Sequence, residues 1–188
     1  MLAFDLPSPG EIQFFKSLLL SVASRYPKDL IWIVHHGQTI EDFVREFPAL
    51  SRRVRHVHFK TIRRMAFPEI DLFLTTEQYT LGLDGVYSVA LFHGQPSKGL
   101  TFTPQIIESF DAFFLYGPLH RQAFDEYLQL GLGKGPDHLT LFEIGYPKSD
   151  DLLNGRFSCE KVLEELCLDS SRKTILYAPA FNEGASLP

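Results

Sequence analysis

The chain has 188 residues, 45% of them hydrophobic, enough to bury a substantial core. With 23 acidic against 18 basic residues its net charge is −5, which argues against the strongly basic face of a general nucleic-acid binder. No apolar run approaches the roughly 18 residues of a membrane span, the first basic residue is Lys16, so the amino terminus does not read as a signal peptide, and two cysteines make no disulfide framework.

Ser8-Pro9-Gly10-Glu11 reads as a helix start, with Ser8 as cap, Pro9 at the first helical position and Glu11 closing a capping box. Ile12, Phe15, Leu19, Val22, Ala23 and Tyr26 recur at helical spacing until Pro27. Leu30–Val34 is short and wholly apolar, the pattern of a buried parallel strand, and Thr39 caps a short helix running to about Phe47. Further strands are expected at Val54–Phe59, Asp71–Thr75, Val86–Phe92, Ala112–Tyr116, Leu139–Ile144 and Thr174–Tyr177. Helices are expected near Lys60–Ala66, Pro104–Ser109, Pro118–Leu130 and Cys159–Leu168, the last holding both cysteines as free thiols. Strands alternating with helices imply crossover connections and an α/β, doubly wound, mainly parallel sheet.

In such a sheet the working groups stand on loops at the carboxyl ends of the strands. His93 ends one apolar run and opens Phe92-His93-Gly94-Gln95-Pro96-Ser97-Lys98-Gly99; later come Gly145-Tyr146-Pro147-Lys148-Ser149-Asp150 and Ile175-Leu176-Tyr177-Ala178-Pro179-Ala180-Phe181. These strings, in this order, resemble motifs of the CDP-glycerol glycerophosphotransferases, the teichoic-acid polymerase family: His-Gly-Thr-Pro-x-Lys, Gly-Tyr-Pro-Arg-Asn-Asp and Ile-Leu-Tyr-Ala-Pro-Thr-Phe/Trp. Gln95, Ser149 and Ala180 depart from the pattern, and Lys148 stands where the family has Arg.

The resemblance implies one Rossmann-like half of a two-domain GT-B arrangement. Residues 1–150 would form the acceptor-side domain, and 151–188 a linker plus the first helix and strand of a second domain. The implied activity is transfer of a glycerol-phosphate-type unit from a CDP-linked donor to a hydroxyl or polyol-phosphate acceptor, in cell-surface polymer synthesis. The donor would bind mainly to the second half, so this chain alone is expected to be inactive. His93 would be the general base; Gly94, Gln95, Lys98, Tyr146 and Asp150 would contact substrate, and no cofactor is implied. The architecture also accommodates a nucleotide-sugar glycosyltransferase or a UDP-sugar 2-epimerase, and a non-catalytic docking module is a third reading.

His35-His36 ends the first of these strands on the same expected edge as His93, which makes His36 a candidate cleft residue. Neighbouring strand residues point to opposite faces, so the pair does not read as a metal site. Arg52, Arg53, Arg55, Lys60, Arg63 and Arg64 form a stretch with no acidic residue, read either as a solvated face or as a dock for an anionic membrane. Tyr116-Gly117-Pro118 opens a helix with His120 in its first turn, a plain turn in the first instance. The expected location is cytoplasmic, with the inner face of the cell membrane as a peripheral site.

Overall fold

A computed structural model describes residues 1–36, 40–62, 64, 70–82, 84–93, 102–131 and 137–177. They divide into two units, Met1–Asp150 and Asp151–Pro188.

The first unit is built on seven strands: β1 (Leu2–Leu6), β2 (Ile31–His35), β3 (Arg55–His58), β4 (Leu72–Thr75), β5 (Tyr87–Ala90), β6 (Ala112–Leu115) and β7 (Thr140–Glu143). They form one sheet in the order β3-β2-β1-β4-β5-β6-β7, and every neighbouring pair is parallel. The helices are α1 (Ile12–Arg25), α2 (Ile40–Glu46), α3 (Pro48–Ser51), α4 (Phe59–Ile62), α5 (Pro104–Ser109) and α6 (Pro118–Gln129). This is the expected doubly wound α/β architecture, Rossmann-like in its strand order.

The alternation of side chains sorts the helices onto the two faces. Phe4 and Ile33 share a face through their pairing in β1 and β2, and Phe15 of α1 meets Phe4 edge-on at 5.7 Å. On the same face His35 packs against Phe43 of α2. Phe113 of β6 lies on the opposite face and meets Phe124 of α6, while Ala3, Val34, Val57 and Phe73 cluster there with Ile62 of α4. Fully burying side chains such as Phe4, Phe15 and Phe113 stabilises the fold by about 1.5–3 kcal/mol each. α5 starts where Thr103 accepts a hydrogen bond from the Ile106 amide at 3.3 Å, and Pro104 fills the first helical turn.

β1 is an interior strand and was not among the expected ones. The sequence Leu2-Ala3-Phe4-Asp5-Leu6 is short, interrupted by an acid, and sits directly ahead of the helix start. It pairs with both β2 and β4. Glu11 is also placed differently from expectation. It forms no capping box: the helix start carries no side-chain cap, and the Glu11 carboxylate accepts a hydrogen bond from the Thr76 hydroxyl.

In the second unit, α7 (Asp150–Leu153, beginning on the last residue of the first unit) and α8 (Cys159–Glu165) are short. Ser158 caps α8, and Arg156 pairs with Asp151 at 3.1 Å. Cys159 and Cys167 are exposed free thiols, and Cys167 lies beyond the helix in a left-handed conformation, φ 54°. Thr174–Tyr177 is not a strand: these residues have no regular secondary structure, and Ile175 and Leu176 are 89% and 87% exposed.

Candidate functional site

Because every strand runs the same way, all seven carboxyl ends open onto one edge. The strand order reverses direction between β1 and β4, and a crevice at such a switch point is where doubly wound sheets bind ligands. Asp5 stands there. It shares a sheet face with Ala3, and the continuing register sets it beside Thr75 of β4. Asp5 is fully buried, yet its oxygens are satisfied: Oδ2 accepts from Thr75 Oγ1 at 2.8 Å and Oδ1 from His36 Nε2 at 2.6 Å. Such saturation is what a buried carboxylate requires.

His36, which follows β2, is gripped on all sides. Phe59 stacks on its ring at 4.0 Å and 30°, and the Tyr79 hydroxyl lies 3.2 Å from Nε2 and 3.4 Å from Nδ1. Since a carboxylate only accepts, the Asp5 bond places the proton on Nε2 and leaves the lone pair of the neutral ring on Nδ1. The ring is 21% exposed. Burial and the neighbouring Asp5 push the Tyr79 hydroxyl well above the usual phenol range, so it stays protonated.

His93 follows β5 on the same edge of the sheet. Its Nδ1 donates to the Thr76 carbonyl at 3.3 Å, and the side chain is exposed. Glu77, whose amide donates to Thr75 Oγ1 at 3.0 Å, feels both histidines. Burial and the charge of Glu11 raise the Glu77 carboxyl above its ordinary value, with Asp5 adding to the effect and His93 and His36 opposing it. One electrostatic neighbourhood therefore contains Asp5, Glu11, His36, Glu77 and His93. Among the described residues no three His, Cys, Asp or Glu side chains are placed to hold a metal ion.

The edge continues past Glu11 to Tyr116 and Tyr146, whose rings meet edge-on at 4.8 Å. Burial first, then Tyr146 and Glu11, raise the Tyr116 hydroxyl above the usual phenol range. Tyr146 is half-buried and packs against Phe14 of α1, with Lys148 over the same ring at 5.0 Å. This motif thus anchors the last turn of the first unit to α1, and Asp150 ends that unit. Gly94, Gln95 and Lys98 lie outside the described residues, as does Arg63.

His35 and His36 point to opposite faces. His35 is buried beside Phe43, its Nε2 lying 2.9 Å from Nδ1 of His56, which also meets Ser51 at 3.3 Å. Burial, then His56, lower the His35 pKa to about 4. Arg52, Arg53, Arg55, Lys60 and Arg64 are all exposed, around the edge strand β3, with Arg55 resting 5.5 Å over Trp32. Charges along an edge strand also deter unwanted pairing with other sheets.

The sequence reading missed Asp5, Glu11, Thr75, Thr76, Glu77 and Tyr79 as site residues. Only the Asp5 signal was available: a lone acid inside an apolar run directly ahead of a helix start, the pattern of a strand end facing a cleft.

No family model, curated protein or solved structure matches the chain.

Proposed function

We propose that the chain is the acceptor-side unit of a transferase, moving a glycerol-phosphate-type group from a CDP-linked donor to a hydroxyl acceptor. The observation that supports this reading is the pair of histidines, His36 on Asp5 and His93 on the Thr76 carbonyl, both felt by Glu77. Each ring keeps one nitrogen able to accept a proton or a hydroxyl hydrogen bond, which is the equipment that activation of an alcohol needs. The three motifs carry the choice of donor, and two of them begin on this same edge, at His93 and Tyr146.

His93 touches the acceptor in this reading, and Lys98 meets the phosphate. The exposed cations from Arg52 to Arg64 draw the protein to an anionic membrane where a polymer acceptor would be held.

The test is transfer of radiolabel by the full-length gene product from CDP-glycerol to a glycerol-terminated acceptor, with release of CMP. Label appearing in the acceptor supports the reading. Label transferred only from a UDP-sugar would favour a glycosyltransferase instead, and a folded protein that binds neither donor nor acceptor would refute both.

A further inference from the structure

We propose that His36, fixed by the buried Asp5, is the base that takes the proton from the acceptor hydroxyl, with His93 as a second contact to the substrate. This rests on the transferase reading above but assigns the proton to a residue outside the three motifs.

The two histidines differ in what stands behind them. His93 donates Nδ1–H to a neutral backbone carbonyl and its ring lies open to solvent. His36 donates Nε2–H to a carboxylate that is itself completely buried and tied to Thr75. A buried carboxylate behind an imidazole fixes the tautomer and stabilises the imidazolium as it forms. A carbonyl supplies only a dipole. Phe59 stacked at 4.0 Å prevents the ring from turning its lone pair away. The Tyr79 hydroxyl lies 3.4 Å from Nδ1, and it is this contact that an acceptor hydroxyl replaces when it reaches the lone pair.

The step balances with no further reagent. The acceptor O–H proton passes to Nδ1, and the alkoxide oxygen bonds to the β-phosphorus of the CDP-linked donor. The bond from that phosphorus to the CMP oxygen breaks, and CMP leaves with the electron pair. His36 then returns its proton to water.

Two measurements test this. Long-range proton–nitrogen NMR of the chain should report the Nε2–H tautomer for His36; an Nδ1–H tautomer would overturn the proposal even if no variant folds. In the full-length gene product, His36→Ala should melt cooperatively at a lower temperature, because Asp5 loses its partner, should lower kcat by about 10² or more where it is folded, and should abolish the acid limb of the pH–rate profile. His93→Ala should retain that limb and raise KM. Persistence of the limb in His36→Ala, or its loss in His93→Ala alone, would overturn the assignment. If the wild-type protein transfers nothing, glycerol added to the chain becomes the decisive probe. A shifted His36 Cε1–H resonance would then support His36 as the hydroxyl contact while the transferase reading falls; an unshifted one would sink both.

Discussion

Asp5 and His36, 31 residues apart in sequence, are joined by a 2.6 Å hydrogen bond across the carboxyl ends of two adjacent parallel strands. The carboxylate is fully buried and the ring one-fifth exposed, so the pair has a sealed end and an open end. That polarity separates its structural contribution from its chemical one.

Removing the sealed end should cost stability. Asp5→Ala leaves the Thr75 hydroxyl and the His36 Nε2–H without their acceptor, and orphaning a buried donor typically costs about 1–3 kcal/mol. Urea denaturation should show the loss as an earlier midpoint at constant m-value. A variant within about 0.5 kcal/mol of wild type would mean that Asp5 contributes little to the fold.

His93, which stands outside this pair, should behave differently. It is exposed and bonded only to a carbonyl among the described residues, so His93→Ala should leave the melting temperature nearly unchanged. In a transfer assay it should raise KM several-fold, the loss of one hydrogen bond to substrate. An unchanged KM would remove His93 from the substrate's reach.

Acid should weaken the fold through two buried histidines, His35 and His120. His120 is fully buried against Phe92 and Phe102, and burial lowers its pKa to about 4; His35 falls to about 4 by burial first and then by His56. A depressed histidine pKa means that the unfolded chain binds the proton first. The stability these groups contribute is complete above pH 6.5 and is lost as pH falls from there towards 4. Each contributes a slope of up to about 1.4 kcal/mol per pH unit within that window. Denaturation midpoints between pH 7 and 4 should therefore decline less steeply in His120→Gln than in wild type. Identical slopes would show that His120 does not titrate with folding.

The exposed cations at Arg52, Arg53, Arg55, Lys60 and Arg64 should be dispensable for folding. Replacing three of them with Gln should change stability by less than about 0.5 kcal/mol each. The wild-type chain should sediment with anionic vesicles at low salt and release as screening shortens to about 8 Å at physiological ionic strength. No sedimentation even at low salt would leave the stretch as a charged sheet edge only.

Cys159 and Cys167 are both exposed and unpaired, so a thiol reagent should modify two groups per chain without denaturant. Modification of fewer than two would mean that one thiol is shielded.

Much of the sheet could be read from residue pattern alone. Short apolar runs such as Ile31-Trp32-Ile33-Val34 and Ala112-Phe113-Phe114-Leu115 have both faces to bury, and only a covered parallel strand offers that. β1 escaped because its run is broken by Asp5, a residue that makes sense in a core only when Thr75, 70 positions later, bonds to it. Glu11 misled for the mirror reason: local spacing favours a capping box, but a distant threonine offers the stronger partner. Thr174–Tyr177 carries a strand's composition but forms no strand, and hydrogen-bonding partners, which no local pattern encodes, decide the matter. His93 was legible because a motif marked it. His36 was visible as a residue of the right edge, but its carboxylate was not.

The interior position of β1 also bears on how the chain matures. During synthesis β1 can pair on one side with β2 but must wait for β4, some seventy residues further on, to cover its other side. Until then an apolar ribbon carrying a single acid stands open to solvent, and closing a loop of that length is slow relative to local helix formation. The crevice is thus sealed only when β4 arrives, so a nascent chain halted short of Thr75 exposes the strand most prone to pairing wrongly and is the form that most needs a chaperone.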